Sequence, residues 1–344
     1  MNTFSFLSHP MNISQLKELW PLTRFIPYPF MNSFLKYFLS VKVVKIDSSG
    51  PKYNHNIIDN KINGFIIWMP LLPVNMERAS EKYSSTRIDY ALKLSKNYGA
   101  AILGLDRLFA VRKYVSSEKH GIPVNKGNYL AAWTIFESVY RAAKVKKINF
   151  KNCTVLIIGM QDSLGVLCAK KISAHVSQCV VFDQNMDREY LKKRLKEQAV
   201  DLSVEVISRN DLDKAVKESD ICICTSQDKT KVLDIGELKL HSIVCYMDQN
   251  DKFASEVRIR KDVTVISGGL IKLPYNEKEI SFYGRDYPKN IVPAAMAETM
   301  LLTLEGKLIN YTTNDNANPD KLDEIADIAT KYGFEVWVPE APVI

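Results

Sequence analysis

TVLIIGMQDSLGVLCAKKI, residues Thr154 to Ile172, decides the fold. After Thr154 four apolar, largely β-branched residues run into Gly159, and after a short polar turn Leu164, Val166 and Leu167 begin a helical pattern that Gly165 enters early. A strand that passes through a glycine bend into a helix is the first unit of a parallel α/β sheet. The residues beyond it repeat the theme. Apolar strand-like runs follow at Cys179–Phe182, Ser203–Ile207, Ile221–Thr225, Ile243–Met247 and Val263–Ile266. Helix-length segments separate the earlier ones, so this reads as a doubly wound, Rossmann-type sheet over residues 150–280.

Working outward, the preceding stretch GNYLAAWTIFESVYRAAKV (Gly127–Val145) places Ala131, Ile135, Val139 and Ala142 at helical spacing, and residues 127–149 are expected to form a linking helix. Residues 1–126 read as a second α/β domain, with β-rich runs at Phe4–Ser8, Val41–Ile46, Phe65–Met69 and Ala101–Leu105 and a helix at Ser84–Asn97 that Gly99 ends. Residues 281–344 are expected to be helical and to dock on that domain. They carry a helix near Ile291–Glu305 closed by Gly306, and another opened by Asn318 and Pro319.

Composition bounds the function. The 344 residues are 46% hydrophobic and 25% charged, ordinary for a globular chain of about two domains. A net charge of +7, spread among Asp and Glu, gives nucleic-acid binding no support. The start MNTFSFLSHP lacks a secretory pattern, and the apolar stretch FIIWMPLLPV has 10 residues where a membrane helix needs about 20; a cytoplasmic protein is expected. The six cysteines all fall in the Rossmann region at spacings that suit neither a disulfide framework nor a metal site. Leu19–Leu39, aromatic and interrupted by three prolines, reads as a cover packed on the core, with contact to a membrane surface or an acyl chain as the alternative.

The turn points to a nucleotide. In dinucleotide folds a first glycine makes the bend, a middle one lets the backbone approach the diphosphate and a last one permits close helix packing. Gly159 and Gly165 hold the outer positions, while Asp162 stands in the middle, where a carboxylate opposes an anion at a helix N-terminus. Asp183 follows the second strand, 24 residues after Gly159, and can accept hydrogen bonds from ribose hydroxyls. It would repel a 2′-phosphate, so of NAD and NADP the sequence favours NAD. Ser267-Gly268-Gly269 after the sixth strand would bring backbone close to a nicotinamide ring; an ordinary turn is the alternative.

The chain also resembles the cyanobacterial long-chain acyl-acyl-carrier-protein reductases and related bacterial dehydrogenase-like proteins over nearly its whole length. The likeness is carried by FSFLSHPMNISQL (Phe4–Leu16), LGLDRLFAV (Leu103–Val111), GNYLAAWTIFESVYRAAK, the glycine turn, ISGGLIKLP (Ile266–Pro274), AETMLLTLEG (Ala297–Gly306) and KYGFEV (Lys331–Val336). It implies an enzyme that takes a fatty acyl thioester, passes the acyl group to a cysteine and reduces it to an aldehyde with a nicotinamide cofactor. Several positions depart from that pattern. The acyl-accepting cysteine is replaced by Ala295, although Glu298 is kept; Asp106-Arg107-Leu108 replaces Phe-Thr-Ser, and Lys126 stands where the family has Thr before Gly127 and Asn128. A methyl group cannot attack a thioester. Two readings follow: an oxidoreductase acting on a carbonyl in a free or carrier-bound substrate without an acyl-enzyme, or a catalytically silent relative that binds a nucleotide or an acyl carrier. In the first, Lys126 beside Asp106 is the candidate general acid, with His9 as a further candidate; a surface ion pair and a structural histidine are the plainer alternatives.

Overall fold

The computed structural model describes residues 2–27, 30–31, 35, 41–48, 62–72, 81–106, 121–198, 200, 203–225, 232–247, 256–275, 282, 289–308 and 317–338. The chain divides into two compact units, each of three segments: unit 1 is Met1–Gly127, Ile271–Thr313 and Asp327–Glu335, and unit 2 is Asn128–Leu270, Asn314–Ala326 and Val336–Ile344.

In unit 1, β1 (Thr3–Ser8), α1 (Ile13–Leu19), β2 (Lys42–Ser48), β3 (Ile62–Trp68), α2 (Glu81–Asn97), β4 (Ile102–Leu105) and β5 (Val124–Asn125) follow in order. They build a five-stranded sheet in the order β2-β3-β1-β4-β5. β1 is central and parallel to β3 and β4, with Phe6 opposite Gly104 and Leu7 opposite Leu105; only β2 runs antiparallel, against β3. On one face Leu7, Ile67, Leu103, Leu105 and Val124 pack with Ile88, Ala91 and Leu92 of α2. α2 stops at Gly99, whose φ of +73° costs a glycine nothing.

Unit 2 starts with α3 (Asn128–Val145), then β6 (Thr154–Ile158), α4 (Ser163–Ser173), β7 (Gln178–Phe182), α5 (Arg188–Glu197), β8 (Glu205–Val206), α6 (Leu212–Glu218), β9 (Ile221–Cys224), β10 (Ile243–Tyr246) and β11 (Thr264–Ser267). The sheet order is β11-β10-β9-β6-β7-β8, and its pairings are parallel. Counted from β6 as the first strand this is 3-2-1-4-5-6, the doubly wound order, whose topological switch point lies between β6 and β9. Leu156, Ile158, Val180, Phe182, Cys222, Cys224 and Val244 fill one face, and Val155, Ile157, Val181, Ile221, Ile223 and Cys245 on the other are buried too, which explains why these strands read as unbroken apolar runs.

α3 is not a free connector. It packs against α4, β10 and β11, and the division into units falls at its first residue, so the helix expected to link the domains over 127–149 is part of unit 2. The C-terminal region also divides differently from expectation. Residues Ile291–Pro293, expected to open a helix, form strand β13, and the helix α7 (Ala294–Leu304) begins after it; Val292 and Pro293 suit the extended backbone better. α7 packs on β1, β4 and β5 of unit 1. β12 (Leu270–Lys272) and β14 (Glu335–Val336) join β13 in a small sheet of order β13-β12-β14, none of which the sequence reading anticipated. The last helix, α8 (Pro319–Lys331), has the expected Asn318 cap, whose side chain accepts from the Asp320 amide at 2.9 Å; the division into units passes through it. Of Leu19–Leu39, the described part forms a tight 3-10 turn, Pro21–Phe25, and the rest lies largely outside the described residues, as do Arg107 and Leu108. Among the described residues, no helix is long and apolar enough to cross a membrane.

Candidate functional site

The turn between β6 and α4 is built by its two glycines. Gly159 has φ +106°, open to glycine alone, and a Cβ on Gly165 would overlap the Gly159 carbonyl oxygen; strand and helix therefore meet backbone to backbone. Thr225, just past β9, donates its hydroxyl to that carbonyl at 2.7 Å and so pins the bend from the other side of the switch point. Asn128 donates to the Ser163 hydroxyl at 2.6 Å. This asparagine, which the family resemblance keeps beside Gly127 on the substrate side, ties the start of α3 to the first residue of α4.

Asp162 is the N-cap of α4. Its Oδ1 accepts from the backbone amides of Leu164 at 2.9 Å and Gly165 at 3.4 Å. Helix N-termini leave amides unsatisfied, and in a dinucleotide fold these are the donors that meet the diphosphate. The sequence reading expected Asp162 to repel that anion; the structure adds that its carboxylate occupies the anion's donors.

Asp183 is 2% exposed. One carboxylate oxygen takes the Met160 amide at 2.7 Å and the other the Asn185 amide at 2.8 Å, so the residue braces the glycine turn from the end of β7. Beside it opens a cavity of about 610 Å³ whose wall includes Asp183, Asp187, Arg188, Ser208, Arg209 and Val232. Arg188 is held by its Nε donating to the Val206 carbonyl at 2.8 Å, and the Ser208 hydroxyl donates to Asp211 at 2.6 Å, a bond that holds the Asp211 carboxyl below the usual carboxylate range. Arg188 lies five residues beyond Asp183. Arg209 comes from the next strand's loop and left no sequence signal linking it to Asp183.

Ser267, Gly268 and Gly269 close β11. A Cβ on Gly268 would come 2.9 Å from Ile135 Cγ1, and one on Gly269, at φ +76°, 2.5 Å from Met247 Cε. The packing of unit 2 itself demands both glycines.

The remaining candidates belong to unit 1. Ser8, His9 and Asp106 cluster at the C-terminal ends of the neighbouring parallel strands β1 and β4 and are all buried. The Ser8 hydroxyl donates to Asp106 Oδ2 at 2.5 Å, and His9 Nδ1 lies 3.1 Å from the Pro10 carbonyl. Asp106 is thus held by Ser8, a residue without a cue in the sequence. Lys126 is half-buried between Asn125 and Gly127. Asn125, also missed, donates to Thr299 Oγ1 at 3.1 Å and accepts from the Gly127 amide at 3.1 Å, linking the Gly127 turn to α7. Gly127 has φ +69°, and a Cβ there would overlap Cα and Cβ of Ala295. Ala295, in the first turn of α7, is half-buried, while Glu298 one turn on is fully buried.

None of the six thiols offers a ready substitute for a nucleophile at Ala295. All are buried; loss of solvation pushes Cys179 and Cys224 up to about 12 and Cys153 up to about 11, and raises Cys222 and Cys245 as well. Among the described residues no group of three or more His, Cys, Asp or Glu is placed to hold a metal ion.

No protein-family model matches the chain. A curated relative, Aminotransferase PigE of Serratia sp. (strain ATCC 39006), is 22% identical over 286 residues, covering 80% of this chain. The chain spans about a third of that relative, 32% of its length. Solved structures it is similar to include L-tryptophan dehydrogenase from Nostoc punctiforme, 12% identical, TM-score 0.40, covering 96% of this chain and 80% of that one. Quinate dehydrogenase from Corynebacterium glutamicum in complex with NAD is 11% identical, TM-score 0.41, covering 94% and 98%. The hetero-hexameric glutamate dehydrogenase from Thermus thermophilus is 11% identical, TM-score 0.42, covering 97% and 77%. Likenesses this distant leave the chemistry to be argued from the residues of this chain.

Proposed function

We propose that unit 2 binds NAD or NADP and that the protein is a nicotinamide-dependent reductase of a carbonyl group, in a small-molecule or acyl-carrier-bound substrate, related to the long-chain acyl-acyl-carrier-protein reductases but working without a cysteine acyl-enzyme. One observation carries the reading: in a sheet of order 3-2-1-4-5-6 the first βα turn keeps both architectural glycines, and the cavity at Asp183 opens at the end of the adjacent strand. The adenosine end of a dinucleotide fits there, with Asp183 accepting from ribose hydroxyls and Arg188 and Arg209 on the cavity wall. The diphosphate would have to take the Leu164 and Gly165 amides from Asp162, which makes binding weaker than the fold alone would give. When bound, the cofactor supplies a hydride.

The chain's own residues then have to hold the substrate and deliver a proton. Lys126 is the candidate donor, since an ammonium beside a developing alkoxide both stabilises it and can protonate it. Asp106 fixes the Ser8 hydroxyl, and the Asn125–Thr299 bond fixes the Gly127 turn. Ala295 leaves the acyl group of a thioester nowhere to be held covalently.

The capping of α4 by Asp162 favours a second reading, a catalytically silent protein that retains the fold and binds an acyl carrier without a dinucleotide. Fluorescence titration with NADH and NADPH separates the two. Saturable binding at sub-millimolar concentration of either nucleotide supports the reductase; no binding of either supports the silent relative.

A further inference from the structure

Among the described residues three of the ten large apolar side chains left in solvent fall within residues 22–30: Leu22 is 68% exposed, Phe25 82% and Phe30 67%. The others are dispersed along the chain, as isolated surface hydrophobics usually are. The local backbone explains why the first two are presented together. Pro21–Phe25 is a 3-10 turn with proline at its start, and at three residues per turn positions i and i+3 eclipse, which puts Leu22 and Phe25 on one face. Thr23 turns the other way: it is fully buried, and its hydroxyl donates to the Trp20 carbonyl at 2.7 Å. The turn is thus anchored through Thr23, with Leu22 and Phe25 outward and the exposed Arg24 between them. The charge of this stretch of sequence is one-sided. Residues 17–45 hold Lys17, Arg24, Lys36, Lys42 and Lys45 against Glu18 alone, and Lys42 is held next to the turn by donating to the Leu19 carbonyl at 2.9 Å.

We propose that this face docks on an anionic lipid surface, with Leu22, Phe25 and Phe30 entering the headgroup boundary and the basic residues attracted by the lipid charge. Aromatic and leucine side chains beside Lys and Arg are the combination that binds peripherally at an interface, the apolar groups by burial and the cations by the surface potential. A second copy of the chain fits less well, because two such faces would bring like charges together. The inference is independent of the dinucleotide reading, which concerns unit 2.

Co-sedimentation of the full chain with vesicles of phosphatidylcholine containing 30% phosphatidylserine, and with pure phosphatidylcholine, tests it. The expected result is binding to the anionic vesicles at 0.1 M NaCl that is at least tenfold weaker with neutral vesicles, at 0.5 M NaCl, or after Arg24→Glu. The paired Leu22→Ser and Phe25→Ser substitutions, both at solvated positions, should also weaken it at least tenfold with the thermal melting profile unchanged. Absence of the unaltered protein from the anionic vesicle pellet, equal binding by the serine variant, or a dimer in light scattering that the serine variant dissolves would each overturn the proposal.

Discussion

A methyl group on Gly127 would overlap the Cα of Ala295, so the Gly127 turn and the first turn of α7 meet with no side chain between them. Glycine is required twice over at 127, by this contact and by its φ of +69°. Gly127→Ala should therefore lower the stability of the protein by more than about 2 kcal/mol, the usual scale for overpacking combined with a left-handed backbone. Urea unfolding measures it, and a midpoint within error of the unaltered protein would show that the turn is free to move.

The same contact bears on covalent chemistry. Incubated with a long-chain acyl thioester, the protein should show no added acyl mass by intact mass spectrometry, since a methyl group stands at 295 and the six thiols are buried, with burial raising the pKa of Cys153, Cys179, Cys222, Cys224 and Cys245. Ala295→Cys is the single change expected to create an adduct. An adduct on the unaltered protein, mapped to any cysteine, would restore an acyl-enzyme route.

Asp162→Gly should tighten dinucleotide binding by a factor of a few to tens, about 1–2 kcal/mol, because it frees the Leu164 and Gly165 amides and removes a like charge. The lost helix cap should cost only a few tenths of a kcal/mol, glycine being a tolerable N-cap. Unchanged or weaker affinity in a calorimetric titration would mean that the diphosphate does not use these amides.

Cofactor choice turns on the cavity wall. On the proposed reading Asp183 should favour NADH over NADPH by opposing a 2′-phosphate, and Asp183→Ala should narrow the gap while loosening the Met160 turn it braces. Arg188 and Arg209 work the other way, so replacing both with alanine should weaken NADPH by about tenfold and NADH by much less, as expected for charge-assisted phosphate contacts. Tighter binding of NADPH than NADH by the unaltered protein would refute the assignment of Asp183.

The buried thiols make the fold sensitive to alkali. Their pKa values are raised in the folded state, to about 12 for Cys179 and Cys224 and about 11 for Cys153 from an ordinary 9.0. The unfolded chain therefore releases these protons first as pH rises. The stability they contribute is complete below pH 9 and lost progressively from there towards about pH 12. Melting temperature should fall across that window, and replacing Cys179 and Cys224 with alanine should flatten the fall. Iodoacetamide at pH 8 should label the cysteines only after unfolding.

Much of unit 2 was legible because its signals are local. Thr154–Ile158 is bounded as the sequence indicates, Asp183 follows its strand, and the parallel sheet announces itself in apolar runs that need no partner to be recognised. What was missed depends on distance along the chain. The Ser8–Asp106 bond spans 98 residues and the Asn125–Thr299 bond 174, and neither hydroxyl carries a periodic or compositional cue. The helix expected from Ile291 failed for a different reason: its first three residues pair with β12, and that partner is invisible in the local pattern. Asp162 lay between. Its presence in the turn was plain in the sequence, while its reach back to two amides was not.

Unit 1 is completed by α7, which comes from residues 294–304 and lies against β1, β4 and β5. The nascent chain therefore makes all five strands of the first sheet long before it makes the helix that covers them. Until Thr299 arrives, Gly104 lacks the helix that packs on it and the Asn125 side-chain NH2 lacks the hydroxyl it donates to, and the whole of unit 2's sheet must emerge first. Late closure of this kind slows folding and prolongs the exposure of apolar surface. A fragment ending at residue 127 should accordingly be an aggregating polypeptide, whatever boundary its sequence suggests, and the protein's dependence on chaperones should be greatest during the synthesis of residues 128–293.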